Sequence, residues 1–107
     1  MHWTVEAFST AVAEEISALP QDMGARFVRL TGIIEDLGFH ALPPDSVKHL
    51  EDKLWELRMT GRDGISRAIY MTASGRRVVI LRVFVKKTQK TPPREIEITR
   101  QRAKDVT

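Results

Sequence analysis

The sequence predicts a single α+β domain spanning residues 1–107, in which an N-terminal helical hairpin covers an antiparallel sheet and a C-terminal helix follows. Two observations support this prediction. Apolar residues recur at helical spacing up to residue 38, and the spacing changes to that of strands between residues 55 and 85. After a proline pair the helical spacing returns. The predicted order is therefore β-α-α-β-β-β-α, with helices packed on one sheet.

The first half of the chain opens with an alternating segment, Trp3–Ala7, which predicts a short strand. Ser9 caps a helix through residue 18, and Pro20 ends it because a residue before proline avoids helical geometry. A second helix follows and ends at Gly38, a residue type that favours helix C-termini. Its apolar stripe consists of Met23, Phe27, Leu30, Ile34 and Leu37. These two helices form the predicted hairpin.

The second half of the chain predicts the sheet. Residues 39–46 include two prolines and are expected to form a loop. Three strands are then predicted at Trp55–Met59, Ile65–Met71 and Val78–Val85, joined by turns at Gly61–Gly64 and Ser74–Gly75. The last strand is apolar on both faces, as expected for a strand inside a sheet. Thr91 caps a final helix with Pro92 at its first position. The expected inner face of this helix is Ile96, Thr99, Ala103 and Val106.

Charge is distributed unevenly along the chain. The net charge is +3, from 17 basic and 14 acidic residues. Residues 1–52 carry three basic and nine acidic residues, a net −6, whereas residues 53–107 carry fourteen and five, a net +9. We expect the negative charge on the exposed face of the hairpin and the positive charge on the sheet and the final helix. The hairpin acids are Glu14, Glu15, Asp22, Glu35 and Asp36.

Several classes of function lose support from composition. The chain has no cysteine, which excludes disulfides, a thiolate nucleophile and thiolate metal sites. Its three histidines lack metal-ligand spacing, and there is no P-loop, G-x-G-x-x-G or G-x-S-x-G motif. We therefore expect no metal and no cofactor. The N-terminus does not resemble a signal peptide and no apolar run could span a membrane, so a cytoplasmic location is expected.

Basic residues concentrate on the predicted strands and at the exit of the last one. Arg58, Arg67 and Arg82 lie within strands, and three lysines follow the last of them. Such a cluster would bind a polyanion, because arginine and lysine hold phosphate oxygens. The alternative is that each arginine pairs with a carboxylate such as Glu56 or extends to solvent. The lysines are Lys86, Lys87 and Lys90.

Two further side chains have both a functional and a structural interpretation. Tyr70, the only tyrosine, could stack on a base or donate a proton, or could pack beneath a helix. His49 could act as a base, although an exposed position on a short helical turn is the favoured interpretation.

Three segments together resemble a known family: Lys48–Arg58, Ser66–Tyr70 and Val83–Pro92. In order, they read L-W-E-L-R, R-x-x-Y and F-x-K-K-T-Q-K-T-P, a pattern similar to the HigB-type, phage-related branch of the RelE/ParE toxin superfamily. The resemblance implies a RelE-like fold and the toxin of a bacterial type II toxin–antitoxin pair. It further implies mRNA cleavage on the ribosome by internal attack of the ribose 2′-hydroxyl. A helix-turn-helix antitoxin would be the cognate partner.

The resemblance also implies roles for individual residues. Arg67 matches the phosphate-binding arginine, and Lys86 and Lys87 match the basic pair at the strand exit. Tyr70 completes the expected catalytic set. The expected RNA contacts are Arg58, Arg82, Lys53 and Lys90. The chain has Leu54 and Glu56 where RelE itself has two lysines, and Ile96 where RelE has a tyrosine. The acid and base therefore stay open among Lys53, Lys90, Tyr70 and His49.

Two other functions remain compatible with the sequence. ParE-type toxins of the same superfamily inhibit DNA gyrase without chemistry, and in that case the basic residues would form a binding surface. The chain could instead be a noncatalytic nucleic-acid-binding protein of phage type. The sequence leaves the oligomeric state open.

Overall fold

The computed structural model describes residues 2–86 and 90–107. Its elements are β1 (Thr4–Ala7), α1 (Thr10–Ser17), α2 (Gln21–Leu37), a single 3-10 turn (Phe39–Ala41), β2 (Val47–Glu51), β3 (Leu54–Gly61), β4 (Gly64–Ala73), β5 (Arg77–Lys86) and α3 (Pro93–Ala103). The α+β class, the helical hairpin and the presence of a C-terminal helix are as predicted. Helix α3 begins at Pro93 with Pro92 as its N-cap, so the prediction of Thr91 as cap was wrong by one residue.

The five strands form one sheet in the order β1-β5-β4-β3-β2. Strands β2 to β5 form an antiparallel meander, whereas β1 runs parallel to β5, with Val5 opposite Val78. The predicted antiparallel meander is confirmed, and the parallel pairing of β1 at its edge was not predicted. A long crossover through the hairpin and the meander returns the chain beside its first strand, and such a connection permits parallel pairing.

Strand β2 was not predicted. Residues 47–51 pair with β3, and the register shifts between His49 and Glu51. This shift is an irregularity of the bulge type, which disturbs the period of two that reveals a strand in a sequence. His49 lies on this strand and not on a helical turn, so its expected structural setting was wrong as well.

The helical hairpin packs on one face of the sheet, which we call the hairpin face. The buried stripe of α2, from Met23 to Ile34, contacts apolar side chains of the central strands. At Gly61 the hairpin and the β3–β4 turn approach so closely that a Cβ atom would lie 2.7 Å from Cγ of Met23. The Asp22 carboxylate secures this contact by accepting a hydrogen bond of 2.6 Å from the backbone N–H of Arg62.

Helix α3 lies against the opposite face of the sheet, which we call the α3 face. Ala103 and Val106 pack on a second, smaller apolar cluster, and Thr99 is fully buried. The members of this cluster within the sheet are Leu54, Ile69, Val79 and Leu81. The rest of the α3 face is charged, and it holds most of the residues to which the sequence assigns a function.

Candidate functional site on the α3 face of the sheet

A buried carboxylate organises the charged part of the α3 face. Glu56 is fully buried on β3. Its Oε1 accepts a hydrogen bond of 2.6 Å from Nη1 of Arg67, and its Oε2 accepts one of 3.0 Å from Oγ1 of Thr91, just before α3. Nε of Arg58 lies 3.7 Å from the same Oε1. Glu56 thus joins two strands to the start of the C-terminal helix.

Four cations surround this carboxylate, and we call them the basic cluster: Lys48, Arg58, Arg67 and Lys86. The register brings them together, because Lys48 lies opposite Glu56 and Arg58 lies opposite Arg67. The period of two along each strand turns all of these side chains to the α3 face. Glu56 can balance only one of these four positive charges.

The members of the basic cluster differ in their access to solvent. Lys48 is exposed and the Arg58 side chain is 29% exposed, whereas Arg67 is only 1% exposed. Within residues 2–86 and 90–107, the Nε atoms of Arg58 and Arg67 are buried and have no hydrogen-bond partner. A buried N–H donor without a partner is costly, and an anion placed beside it would satisfy it.

The environment of Lys86 makes this lysine easier to deprotonate than an ordinary lysine. Burial lowers the pKa of this lysine. The positive charge of Arg67 lowers it further, and Lys48 and Arg58 act in the same direction, while Glu56 opposes them. Lys86 is thereby suited to exchange a proton closer to neutral pH than an ordinary lysine. Burial also lowers the pKa of Arg67, although Glu56 opposes that effect.

Arg82 lies in a separate network on the same strand as Lys86. Its Nε donates to Glu95 at 2.6 Å and its Nη1 donates to Glu15 at 2.8 Å. Arg102 of α3 donates to both carboxylate oxygens of Glu15, at 2.9 and 3.2 Å. This network attaches α3 and α1 to the end of the sheet. It also corrects the expectation for Glu15, which is not on the exposed face of the hairpin.

Other predicted site residues lie apart from the basic cluster. Tyr70 is on the hairpin face, 3% exposed, with its ring stacked on Phe39 at 5.7 Å. Burial raises its pKa further from neutral pH. His49 is on the hairpin face as well, against the ring of Trp55 at 4.7 Å. The structure therefore does not bring these two acid–base candidates to the cations.

The remaining predicted lysines occupy three different positions. Lys53 is exposed in the β2–β3 turn. It lies five positions before Arg58, which is roughly 17 Å along an extended strand. Lys90 is exposed and directly precedes Thr91, which bonds Glu56. Lys87 lies outside the described residues.

Sequence reasoning missed Lys48 and treated Glu56 only as one of several potential partners. A lysine and a glutamate on strands are usually solvent-exposed, and neither forms a motif. The pairing of Lys48 with Glu56 depends on strand β2, which the sequence did not reveal. Among the described residues there is no group of three His, Asp or Glu side chains that could hold a metal ion. The expectation of a metal-free and cofactor-free protein stays a prediction.

Residues 14–104 match a family model described as phage-derived protein Gp49-like (DUF891). The chain belongs to the Gp49-like family. This is a toxin-like family of the RelE/HigB-type superfamily and is associated with the toxins of toxin–antitoxin pairs, which suggests an antitoxin as partner. No curated protein gives a significant match to the chain. In the part of this Gp49-like protein that the structure describes, no helix is long and apolar enough to cross a membrane.

Proposed function

We propose that the chain is the HigB-type toxin of a type II toxin–antitoxin pair and that it cleaves mRNA on the ribosome. The observation that supports this proposal is the basic cluster, in which four cations surround one buried carboxylate. A helix-turn-helix protein is the proposed antitoxin. The proposed location is the bacterial cytoplasm, where both ribosome and mRNA occur.

The proposed reaction is an internal transesterification. The ribose 2′-oxygen attacks the adjacent phosphorus, the bond from phosphorus to the 5′-oxygen breaks, and a 2′,3′-cyclic phosphate and a 5′-hydroxyl form. A base takes the proton of the 2′-hydroxyl and an acid returns one to the 5′-oxygen. The protein must also stabilise the negative charge that develops on the phosphate. None of these steps calls for a covalent nucleophile from the protein.

The positions of the side chains suggest a division of roles. Arg58 and Lys48 are accessible and would hold the scissile phosphate. Lys86, whose pKa is lowered, would exchange the proton. Arg67 is buried against Glu56, so we assign it the fixed positive charge beneath the phosphate and the positioning of its neighbours. Lys87 and Lys90 are proposed RNA contacts at the strand exit.

Substitution of Lys86 tests this function most directly. We expect Lys86→Met to reduce ribosome-dependent cleavage by about 100-fold or more, the usual effect of losing a general acid or base. The measurement is primer extension on an mRNA translated in a purified system, together with detection of the cyclic phosphate end. Lys104→Met, an exposed lysine at the end of α3, is the matched control and should cleave normally.

The pH profile separates proton transfer from simple charge. If Lys86 acts as the base, cleavage should rise with pH and level off below the ordinary lysine pKa of about 10.4. Lys86→Arg keeps the charge but cannot release its proton, so it should remain inactive. Full activity of Lys86→Arg would contradict this role for Lys86, and absence of any cleavage by the unaltered protein would contradict the nuclease assignment.

A noncatalytic function is favoured by one observation, the burial of Arg67 in an ion pair with Glu56. An arginine held in this way does not need to contact a reacting phosphate. The chain would then act as a ParE-like inhibitor of DNA gyrase or as a nucleic-acid-binding protein. A supercoiling assay with purified gyrase distinguishes the first of these from the nuclease.

A further inference from the structure

A cleft with an unusual aromatic lining opens on the hairpin face, away from the basic cluster. It has a volume of about 440 Å³ and lies beside the ends of β2, β3 and β4, next to the 3-10 turn. Both tryptophans and the only tyrosine of the chain line it. Its four aromatic residues are Trp3, Phe39, Trp55 and Tyr70. A cavity of this size and composition is typical of binding sites.

The rings of the cleft hold one another in place. Trp3 meets Phe39 edge to face, with centroids 5.2 Å apart, and Phe39 stacks on Tyr70 at 5.7 Å. Tyr70 is fixed on the central strand β4. Trp55 forms the open side, where 39% of its surface is exposed. The site is therefore formed before a ligand arrives, which reduces the entropy lost on binding.

The charge of the cleft indicates which ligand it accepts. Asp45 is the one residue charged at neutral pH among the described residues that line it. A carboxylate next to several aromatic faces attracts a cation, because each ring presents negative potential on its face. Trp3 already makes such a contact, since the guanidinium carbon of Arg76 lies 5.7 Å from its ring centre. A phosphate would find no cation in this lining.

We propose that this cleft binds an arginine or lysine side chain presented by a basic segment of a partner protein. The aromatic faces would pack against the cationic head and its methylene groups, and Asp45 would accept hydrogen bonds from the N–H groups. The surrounding chain supports a basic partner, because residues 1–52, which supply most of the lining, carry a net charge of −6 from three basic and nine acidic residues.

Intrinsic tryptophan fluorescence reports on this site, since both tryptophans line the cleft. The full-length protein is titrated with a short peptide that contains arginine and with the same peptide that contains citrulline, which is neutral and of similar shape. We expect the arginine peptide to bind at least about fivefold more tightly, as a cation–π contact implies. Equal affinity of the two peptides would overturn the proposal. Binding of adenosine or guanosine monophosphate in preference to the arginine peptide would also overturn it.

Two matched substitutions locate the binding. Asp45 and Asp52 are both exposed aspartates with positive φ, at 64° and 47°, and asparagine tolerates this conformation as well. Asp45→Asn should lower the affinity for the arginine peptide by about fivefold, as expected for loss of a charged partner beside the rings. Asp52→Asn, outside the cleft, should leave its affinity unchanged. If both variants behave alike, Asp45 does not recognise the cation and the proposal fails.

Discussion

Glu56 and Leu57 are neighbours on β3 that point to opposite faces of the sheet, and each is at most 1% exposed. Leu57 packs among apolar side chains beneath the helical hairpin. Glu56 instead forms an ion pair with Arg67 and accepts a hydrogen bond from Thr91. The hairpin face is therefore held by burial of apolar surface, whereas the charged part of the α3 face is held by directional polar contacts that depend on every partner being present.

The difference between the faces suggests a division between stability and function. Apolar packing tolerates exchanges between residues of similar volume. A buried ion pair contributes little net stability over an apolar pair but is costly to break, so its presence is weak evidence of a stabilising role. The buried pair of Glu56 and Arg67 is more readily explained by the fixed positive charge that Arg67 contributes to the basic cluster.

The largest expected effect comes from removing Glu56. Glu56→Ala should reduce the free energy of unfolding by about 3–5 kcal/mol, because it leaves Arg67 buried without its counter-charge. Leu57→Ala is the comparison on the other face, and it should reduce the free energy of unfolding by about 3 kcal/mol because it creates a cavity. Urea denaturation followed by circular dichroism measures both.

A double substitution tests whether the unpaired charge of Arg67 causes the destabilisation expected for Glu56→Ala. Glu56→Leu combined with Arg67→Met removes both charges and fills the space, so most of the stability lost in Glu56→Ala should return. The double variant should lack the proposed cleavage activity, since it has lost the fixed charge that Arg67 contributes to the basic cluster. A double variant as unstable as Glu56→Ala would show that the unpaired Arg67 is not the source of the loss.

A smaller effect is expected at acid pH from the network that attaches α3. Burial raises the pKa of Glu15, but hydrogen bonds from Arg102 and from the Val83 N–H, together with the charge of Arg82, outweigh it and lower the pKa overall. A carboxyl with a lowered pKa stabilises the fold above its unfolded pKa of about 4.3, and this contribution disappears as pH falls through the folded value.

The variant Glu15→Gln tests this expectation. At pH 7 it should be less stable by about 1–2 kcal/mol, the usual worth of hydrogen bonds to a charged group. The difference from the unaltered protein should shrink as pH falls from 5 to 3, when Glu15 itself becomes protonated. Urea titrations at several pH values provide the measurement, and a difference that is independent of pH would contradict the network.

The smallest effect is expected at an exposed bridge on α3. Nε and Nη2 of Arg100 each donate a hydrogen bond of 2.8 Å to the Glu51 carboxylate, but the arginine side chain is 50% exposed. Ion pairs in water contribute little because solvent screens them. Arg100→Gln should therefore leave the urea midpoint unchanged within error, in contrast to Glu56→Ala. A large destabilisation would mean that α3 depends on this bridge.

The sequence predicted those features that local pattern determines. The apolar stripe of α2, the glycine at its end and the turn at Gly61–Gly64 all follow from spacing and residue type. Strand β2 could not be predicted in this way, because its irregular pairing interrupts the alternation and its formation depends on β3. The pairing of β1 with β5 is a long-range contact that no local pattern reveals.

The positions of the candidate site residues could be predicted only in part, because some of them meet through long-range pairing that no local pattern reveals. Arg58, Arg67 and Lys86 were predicted from strand position, and the register brings them to one face. Lys48 joins them only through β2, and the burial of Glu56 depends on how the Thr91 segment covers it. The alternation in the sequence already predicted that Tyr70 and Arg67 point to opposite faces of the sheet. The structure places the Tyr70 ring in the aromatic cleft. The catalytic roles stay predictions.

The parallel pairing of β1 with β5 also determines when the molecule can fold during its synthesis. Residues 4–7 pair with residues 77–80, so the first strand has no partner until most of the chain exists. At a translation rate of about 5–20 residues per second, this wait is roughly 4–15 s. The basic cluster is completed later still, since it needs Lys86 and the Thr91 contact. A nascent chain therefore carries an incomplete site until residue 91 has been made.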